Sequence, residues 1–181
     1  MDRTGAPSRL GEVNKIAPKL RELFEDVYEI HDHGYIEGGD ILVTGKEILV
    51  GRSARTDENG VRQLSEIVTP LGYVIREVFT PPEILHFKTD CSLLGPYEIL
   101  STKRLQASGC FDGYSVINVA DGEEAAANAI RVNDYVIMPA GCPRTKAVLG
   151  EHGYKVKVIN NTECAKLDGG MSCLSLRLNL M

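Results

Sequence analysis

An internal repeat of strand, strand, helix and strand constrains the fold of this 181-residue chain more than any other feature. The first full copy opens with two apolar segments on either side of residues 44–46, a pattern that predicts a β-hairpin. A helix is predicted over 58–71, because apolar side chains recur there on one face. Gly72 then supplies a C-cap, and a strand is predicted over 73–78. This copy is therefore a ββαβ unit.

The same order returns twice further along the chain. One copy covers 91–118 and has a shorter helical part, and another covers 129–159. The first and last copies also share residues, since the segment at 51–56 resembles the segment at 141–145. Such a repeat indicates a fold built from like units.

Both ends of the sequence resemble partial copies. Residues 10–30 predict an amphipathic helix followed by a strand at 27–30, but no hairpin precedes them. Residues 173–178 predict a single strand with no further unit after it. The chain therefore contains three full units, a helix–strand part at the front and a lone strand at the back.

The composition excludes several classes of function. Lys and Arg number 20 against 25 Asp and Glu, so the net charge is −5, and no basic run offers a surface to nucleic acid. No stretch approaches the ~18 apolar residues that a membrane span needs. Residues 1–8 lack the apolar core of a signal peptide. We expect a single cytoplasmic domain over 1–181 that binds neither nucleic acid nor membrane.

The cysteines include one candidate nucleophile. Five cysteines without a secretion signal indicate reduced thiols and not a disulfide framework. No Cys-x-x-Cys pair occurs. Two histidines spaced as in the His-Asp-His sequence at 31–33 rarely form a metal site by themselves, so no metal is expected. Cys173 follows two glycines, which permit close approach of the backbone to a ligand. From the residues alone, the alternative is that Cys173 is an unreactive cysteine of the core.

A few polar residues could assist such a thiol. His86 stands directly before a predicted strand, and Glu37 and Asp40 lie beside glycines at the start of the first hairpin. Arg9 and Arg55 follow small residues ahead of helices, where a guanidinium can grip a carboxylate with two hydrogen bonds. Taken singly, these residues also fit ordinary turns and surface ion pairs.

Five motifs follow one another in a fixed order along the chain. They are Arg-Thr-Gly-Ala-Pro-Ser-Arg at 3–9, Glu-Gly-Gly-Asp at 37–40, Gly-Arg-Ser-Ala-Arg-Thr at 51–56, Leu-His-Phe-Lys-Thr at 85–89, and Asp-Gly-Gly-Met-Ser-Cys-Leu-Ser-Leu-Arg at 168–177. Together they resemble the dimethylarginine dimethylaminohydrolases, within the wider group of guanidino-group-modifying enzymes. The segments Ala-Ala-Asn-Ala at 126–129 and Val-Ile-Met-Pro-Ala-Gly at 136–141 fit the same family. The resemblance covers essentially the whole chain. It implies a five-bladed α/β propeller of ββαβ units, the pentein fold, which agrees with the repeat.

The resemblance also implies an activity. Its members hydrolyse methylated arginine to citrulline and an alkylamine through a covalent thiouronium on cysteine. Residue by residue, it implies that Cys173 is the nucleophile, that His86 is the general acid and base, and that Glu37 orients the histidine. No cofactor and no metal is implied.

The implied substrate is a small guanidino compound. The resemblance assigns Arg9 and Arg55 to its α-carboxylate, and Asp40 is the further carboxylate available to a cationic ligand. Arginine deiminase and amidinotransferase are the competing activities within the same group of enzymes.

The resemblance makes the length of the chain unusual. In the family, guanidinium-binding acidic residues, a lid loop and the first strands precede the motif that here lies at 3–9. We therefore expect a propeller that is incomplete by about one to one and a half units, and a chain that is weakly active or inactive on dimethylarginine.

Three accounts stay open. The chain is the larger part of a family member whose N-terminal part is absent from the sequence. Alternatively, it is a short member that completes its ring with another chain, including a second copy in a homo-oligomer, or acts on a different guanidino compound. The third account is a non-catalytic binding or redox module.

Overall fold

The computed structural model describes residues 6–31 and 33–175, which form three three-stranded sheets and five α-helices. The strands are β1 Ile41–Val43, β2 Ile48–Arg52, β3 Ile75–Phe79, β4 Cys91–Gly95, β5 Glu98–Ser101, β6 Ser115–Asn118, β7 Ile130–Val132, β8 Tyr135–Pro139 and β9 Lys155–Ile159. The helices are α1 Glu12–Leu23, α2 Glu58–Val68, α3 Lys103–Gln106, α4 Pro143–Glu151 and α5 Thr162–Ala165. None of the helices described is long and apolar enough to cross a bilayer.

All three sheets have the same topology. In the first sheet, β1 pairs antiparallel with β2, with Ile41 opposite Val50, and β2 pairs parallel with β3, with Ile48 opposite Ile75. The second and third sheets repeat this pattern. A parallel pair needs a long crossover connection, and α2, α3 and α4 lie on the three crossovers. The predicted ββαβ repeat is confirmed in all three full units.

Local signals explain where α2 begins and ends. The Asp57 carboxylate accepts a hydrogen bond from the N–H of Gly60 at 2.7 Å, which caps the first turn. A 3-10 turn continues α2 to Leu71, and Gly72 then adopts φ +87°, a left-handed conformation that glycine takes without strain. The chain is thereby turned back into β3.

The central strand of the first sheet is buried on both faces. In β2, Leu49 and Val50 point to opposite faces, and each is 0% exposed. Val50 packs in one apolar cluster with Val61 of α2, whereas Leu49 packs in another with Ile99 of β5. The neighbouring Leu100 of β5 belongs to a third cluster with residues of the third sheet. The sheets therefore follow one another with shared cores between them.

The first strands of the second and third sheets lie against each other. β4 contacts β7 directly, and the 3-10 turn at Phe87–Thr89, just before β4, contacts β1. The segments that enter each unit thus meet at one place. The candidate site residues Glu37 and His86 lie on two of these entering segments.

Two predicted strands differ from the structure. No strand forms over 27–30, because no neighbouring strand in the described chain supplies ladder partners for this segment. The prediction over 173–178 is also wrong for its first three residues, which lie in a turn where the N–H of Ser175 donates to the carbonyl of Ser172 at 3.3 Å. Residues 176–178 lie outside the described residues.

Glu123 stabilises the first turn of α4 through hydrogen bonds. Its carboxylate accepts hydrogen bonds from the backbone N–H groups of Arg144 at 3.1 Å and Thr145 at 2.7 Å. Burial acts to raise the pKa of this carboxyl, but the hydrogen bonds from Thr145 and Arg144 outweigh it and hold the pKa below its usual value. Ionised Glu123 therefore stabilises the fold.

We expect Glu123→Ala to lower the free energy of unfolding by about 1–2 kcal/mol, the usual cost of losing a helix cap. Because the folded-state pKa is depressed, this stabilisation is complete above the unfolded-state pKa and is lost as the pH falls through the folded-state pKa. Urea unfolding at about pH 7 and about pH 3 measures both effects. The exposed Glu151 at the end of α4 provides the control, since Glu151→Ala should cost under about 0.5 kcal/mol. A Glu123→Ala effect that is equal at both pH values would contradict the electrostatic part of this account.

Candidate active site

Glu37 and His86 form a close, shielded contact. The His86 Nε2 atom lies 2.5 Å from Glu37 Oε2. The Glu37 side chain is 3% exposed and that of His86 is 16% exposed. Each residue directly precedes a short 3-10 turn that leads into the first strand of its unit, at Gly38–Asp40 and Phe87–Thr89. A buried carboxylate at this distance fixes the orientation of the imidazole.

Gly39 lets the histidine approach this closely. A Cβ at Gly39 would lie 2.8 Å from His86 Cγ, closer than real Cβ contacts allow. The Glu-Gly-Gly-Asp motif thus does more than form a turn, because its second glycine leaves the space that the imidazole ring fills.

Asp40 is fully buried, and its carboxylate is occupied within the protein. Its Oδ2 atom accepts hydrogen bonds from Ser53 Oγ at 2.7 Å and Thr56 Oγ1 at 2.6 Å. Its Oδ1 atom accepts a hydrogen bond from the N–H of Phe87, next to His86, at 2.8 Å. Thr56 Oγ1 also accepts from the N–H of Glu37 at 3.1 Å. Asp40 therefore ties together the segments that carry Glu37 and the histidine. Asp40 is 0% exposed. That it binds substrate stays a prediction.

Removing the charge of Asp40 should be costly. We expect Asp40→Asn to lower the free energy of unfolding by about 3 kcal/mol, because an amide cannot accept all three hydrogen bonds and places N–H groups against donors. Asp134→Asn, which changes an exposed carboxylate in the third unit, is the matched control and should cost under about 0.5 kcal/mol. Thermal and urea unfolding compare the two variants, and equal stabilities would contradict the role given to Asp40.

Arg9 and Arg55 converge on the same carboxylate. The Arg9 Nη1 atom lies 3.3 Å and the Arg55 Nη1 atom 3.6 Å from Glu37 Oε2. Their side chains are 43% and 32% exposed, so part of each guanidinium faces solvent. Arg9 also pairs with Glu12, and its hydrogen bonds hold the pKa of that carboxyl below its usual value. Two positive groups therefore border the Glu37–His86 contact.

Asn128 holds the loop that carries Cys173. Its Oδ1 atom accepts from the N–H of Ser172 at 2.9 Å and from Ser172 Oγ at 2.8 Å, and its Nδ2 atom donates to Cys173 Sγ at 3.4 Å. Its carbonyl accepts from the N–H of Met171 at 3.2 Å. Gly170 packs directly on the Asn128 amide, with no room for a side chain. The thiol of Cys173 is exposed.

The Cys173 loop and the histidine are linked through packed turns. Asn128 follows the 3-10 turn Glu124–Ala127, which contacts the turn Phe87–Thr89 beside His86. Lys88 in that second turn has a pKa lowered by burial, and Cys91, Cys173 and Asp40 are the neighbouring groups whose electrostatic interaction with it opposes this effect. The candidate residues from both ends of the chain therefore reach one region of the molecule.

The other cysteines are in different surroundings. Cys91, Cys110 and Cys142 are buried, and burial raises the pKa of each thiol. Cys164, in α5, is exposed like Cys173. In the part of the chain that the structure describes, no group of three His, Cys, Asp or Glu side chains is placed to hold a metal ion.

Sequence reasoning did not assign a role to Asn128 or Lys88. Asn128 lies within the Ala-Ala-Asn-Ala segment, whose only signal was its agreement with the family. Its partners are 44 and 45 residues away in the chain. Contacts of this kind depend on how the units pack and leave no local pattern in the sequence.

Comparison with known proteins identifies related chains. A family model described as arginine deiminase matches residues 15–79. The dimethylarginine dimethylaminohydrolase of Pseudomonas aeruginosa is 36% identical over 97% of this chain and 69% of its own length. That of Streptomyces coelicolor is 30% identical over 97% of this chain and 67% of its own length. This chain thus spans about two thirds of these relatives.

Solved structures give the same result for the fold. The P. aeruginosa dimethylaminohydrolase, a mutant in complex with citrulline, superposes with a TM-score of 0.91 over 97% of this chain and 69% of its own. A dimethylaminohydrolase adduct with S-methyl-L-thiocitrulline, 35% identical, also gives 0.91 over 98% of this chain and 70% of its own. The N-terminal domain of ArgZ, a cyanobacterial arginine dihydrolase, is 23% identical and shares the fold with a TM-score of 0.86 over 99% of this chain and 69% of its own. The predicted pentein fold is confirmed, at about 70% of its full length, and the chain belongs to the dimethylarginine dimethylaminohydrolase family.

Proposed function

We propose that this chain carries the reacting groups of a guanidino hydrolase that acts on methylated arginine. The observation that supports this most is the 2.5 Å contact between His86 and the buried Glu37. The turn that follows His86 contacts the turn before Asn128, and Asn128 is hydrogen-bonded to the Cys173 loop. The products are citrulline and an alkylamine, as in the relatives' name. No cofactor takes part in the steps below.

In the first step, the thiolate of Cys173 attacks the guanidinium carbon. The positive charge of the substrate favours the thiolate form of the cysteine as the two approach. The departing nitrogen takes a proton from the imidazolium of His86 as its C–N bond breaks, and dimethylamine leaves. The result is a thiouronium on Cys173 and a neutral imidazole held by Glu37.

In the second step, water replaces the cysteine. The neutral His86 imidazole takes a proton from a water molecule whose oxygen attacks the thiouronium carbon. Collapse of this intermediate forms the ureido carbonyl of citrulline, breaks the C–S bond and releases the remaining hydroxyl proton to solvent, where the alkylamine product takes it up. The Cys173 thiolate and the imidazolium are thereby restored for the next cycle.

The arginines position the substrate in this scheme. We assign the solvent-facing parts of the Arg9 and Arg55 guanidinium groups to the α-carboxylate, because planar guanidinium groups bind carboxylates with two hydrogen bonds. Asp40 is assigned a positioning role through the backbone of Phe87, since both of its oxygens are already occupied.

Arginine is the second substrate to consider. The match of residues 15–79 to the arginine deiminase model favours it, and the same two steps would then release ammonia in place of dimethylamine. The choice between the two substrates depends on which groups contact the departing nitrogen of the guanidinium, which carries methyl groups in one substrate and hydrogens in the other. Both substrates therefore belong in the assay.

The assay measures citrulline formed from dimethylarginine and, separately, from arginine. We expect slow turnover, below the ~0.1–10 per second of an ordinary low-turnover enzyme, because this chain spans about 69% of the length of its relative. A rate in the ordinary range would contradict the expectation of weak activity. The absence of both citrulline and a covalent adduct on Cys173 would overturn the proposed function and favour a binding module.

A further inference from the structure

A tyrosine occupies the same position in all three full units. Tyr73, Tyr114 and Tyr154 each follow a glycine whose φ lies between +84° and +87°. Each also lies within two residues of the start of the third strand of its unit, β3, β6 or β9. The three side chains are therefore equivalent in the repeat.

In the second and third units this tyrosine connects its unit to the unit before it. The Tyr114 hydroxyl donates to Glu47 Oε1 at 3.1 Å, and the Tyr154 hydroxyl donates to Glu98 Oε2. Glu98 is the first residue of β5, and Glu47 directly precedes β2. The central strand of one unit thus begins at a glutamate that accepts a hydrogen bond from the tyrosine of the next unit.

The surroundings of these two tyrosines support the same role. Burial, together with the hydrogen bond to Glu98, raises the pKa of Tyr154 to about 12, and burial raises the pKa of Tyr114 as well. Both hydroxyls therefore keep their protons at neutral pH and act as donors. Arg76 lies 5.9 Å from the centre of the Tyr114 ring, and Arg131 lies 5.7 Å from that of Tyr154.

Tyr73 of the first unit is in different surroundings. It is 46% exposed, and its neighbours Leu71 and Val74 are 57% and 63% exposed. Among residues 6–31 and 33–175, its hydroxyl has no hydrogen-bond partner. The repeat therefore leaves this tyrosine without the glutamate that its two equivalents contact.

The segment 27–30 is open at a corresponding place. It follows α1 as β3 follows α2, so it has the position of a third strand, and Ile30 packs in the apolar cluster of the first unit with Val61. Each third strand of the full units pairs in parallel with a central strand, but 27–30 has no such neighbour in the described chain. Its unpaired backbone groups can accept an added strand. By the repeat, a central strand added there would begin beside Tyr73.

The third unit of a second copy does not offer the required acceptor. Its central strand β8 begins with Tyr135, which pairs with Lys155 as Glu98 pairs with the residue after Tyr114. The ammonium groups of Lys155 and Lys157 lie 5.9 and 5.1 Å from the centre of the Tyr135 ring. This end of the chain would bring a phenol and two cations to the first unit where a carboxylate is needed.

We propose that Tyr73 and the backbone of 27–30 form a docking surface for a further ββαβ unit that is not a second copy of this chain. The central strand of that unit pairs in parallel with 27–30. A glutamate at the start of this strand accepts a hydrogen bond from the Tyr73 hydroxyl. The source that we assign is the part of the dimethylaminohydrolase relatives that this chain does not span.

Binding of the unspanned part of the P. aeruginosa relative, produced as a separate labelled polypeptide, tests this surface. The probe is made in two forms, with Glu or with Gln at the first residue of its central strand. We expect the full chain to bind the Glu form at least about tenfold more tightly, and Tyr73→Phe to remove this difference. Tyr97→Phe changes an exposed tyrosine in the turn between β4 and β5 and should behave like the parent chain.

Two further measurements cover the strand pairing and a probe that does not fold alone. Hydrogen exchange of the amides of 27–30 should slow when the Glu form binds. With the same probe fused ahead of residue 1, the Glu form should melt several degrees higher than the Gln form in the parent chain, and equally in Tyr73→Phe. Circular dichroism establishes that each variant is folded.

The results that would overturn the proposal are distinct. One is the absence of a Glu-to-Gln difference in both the separate and the fused format. Another is unchanged exchange of 27–30 in the complex. Self-association of the chain that is lost in Tyr73→Phe, measured by sedimentation, would assign the surface to a second copy. None of these measurements requires citrulline formation, so they do not depend on the proposed activity.

Discussion

Replacing Cys173 with serine should lower citrulline formation by about a thousandfold or more. The hydroxyl of serine is far less acidic than a thiol, and at neutral pH it does not supply the anion that attacks the guanidinium carbon. The substitution changes one atom of an exposed side chain, so the fold should be unaffected. Citrulline release and thermal unfolding, measured on the same preparations, separate the two effects.

Cys164→Ser is the matched control for this variant. Cys164 is the second exposed cysteine, and it lies nine residues away in sequence, on α5. Its replacement should leave citrulline formation within about twofold of the parent chain. The assignment fails if Cys164→Ser abolishes turnover or if Cys173→Ser retains it.

Gly170→Ala should have the second-largest effect. An added Cβ would lie 2.2 Å from Asn128 Nδ2 and 2.3 Å from Asn128 Cγ, so the amide must move. The same amide binds Ser172 and Cys173, and the backbone of Asn128 is tied to Met171, so it cannot move alone. A displacement of about 1 Å at a reacting group can cost about a hundredfold in rate, and we expect a loss of that size.

Gly150→Ala is the control for this substitution. Gly150 lies in α4 with no atom within 4 Å of an added Cβ, and alanine favours a helix interior by up to about 1 kcal/mol. This variant should be at least as stable as the parent and equally active. If Gly170→Ala were also fully active, the Cys173 loop would not depend on the contact with Asn128.

The repeated units could be predicted from sequence because their signals are local. The hairpin around 44–46, the apolar face of α2 and the left-handed turn at Gly72 each depend on a few neighbouring residues. The same signals recur in the other two units, so one interpretation could be checked against the next. This consistency explains why the order of strands and helices was predicted correctly.

The two wrong strand predictions have a common cause. An extended apolar segment forms a strand only when another strand supplies its hydrogen bonds. Residues 27–30 have no such neighbour in the described chain, although Ile30 still packs against the first unit. Around Cys173, contacts with Asn128 instead hold the backbone in a turn. Hydrophobic alternation alone does not reveal whether a partner strand is present.

The site was only partly predictable for a related reason. Resemblance to the family nominated Glu37 and His86, and the structure places them in contact. It brings Arg9 and Arg55 to the same carboxylate. The burial of Asp40, whose oxygens bind the backbone and hydroxyls of neighbouring segments, could not be predicted from an acidic-glycine motif.

The most direct test of the central claim is the identity of the cysteine that becomes covalently modified by a guanidino-like probe. S-Methyl-L-thiocitrulline forms an adduct with a variant of a related dimethylaminohydrolase in which one histidine is replaced by glycine. The amidine carbon of this probe can accept a thiolate with release of methanethiol. Peptide mapping by mass spectrometry after incubation with this probe locates the adduct. Exposure alone does not decide the outcome, because Cys164 and Cys173 are both accessible. The account predicts one adduct, on Cys173; modification of Cys164 with Cys173 left unreacted would contradict it.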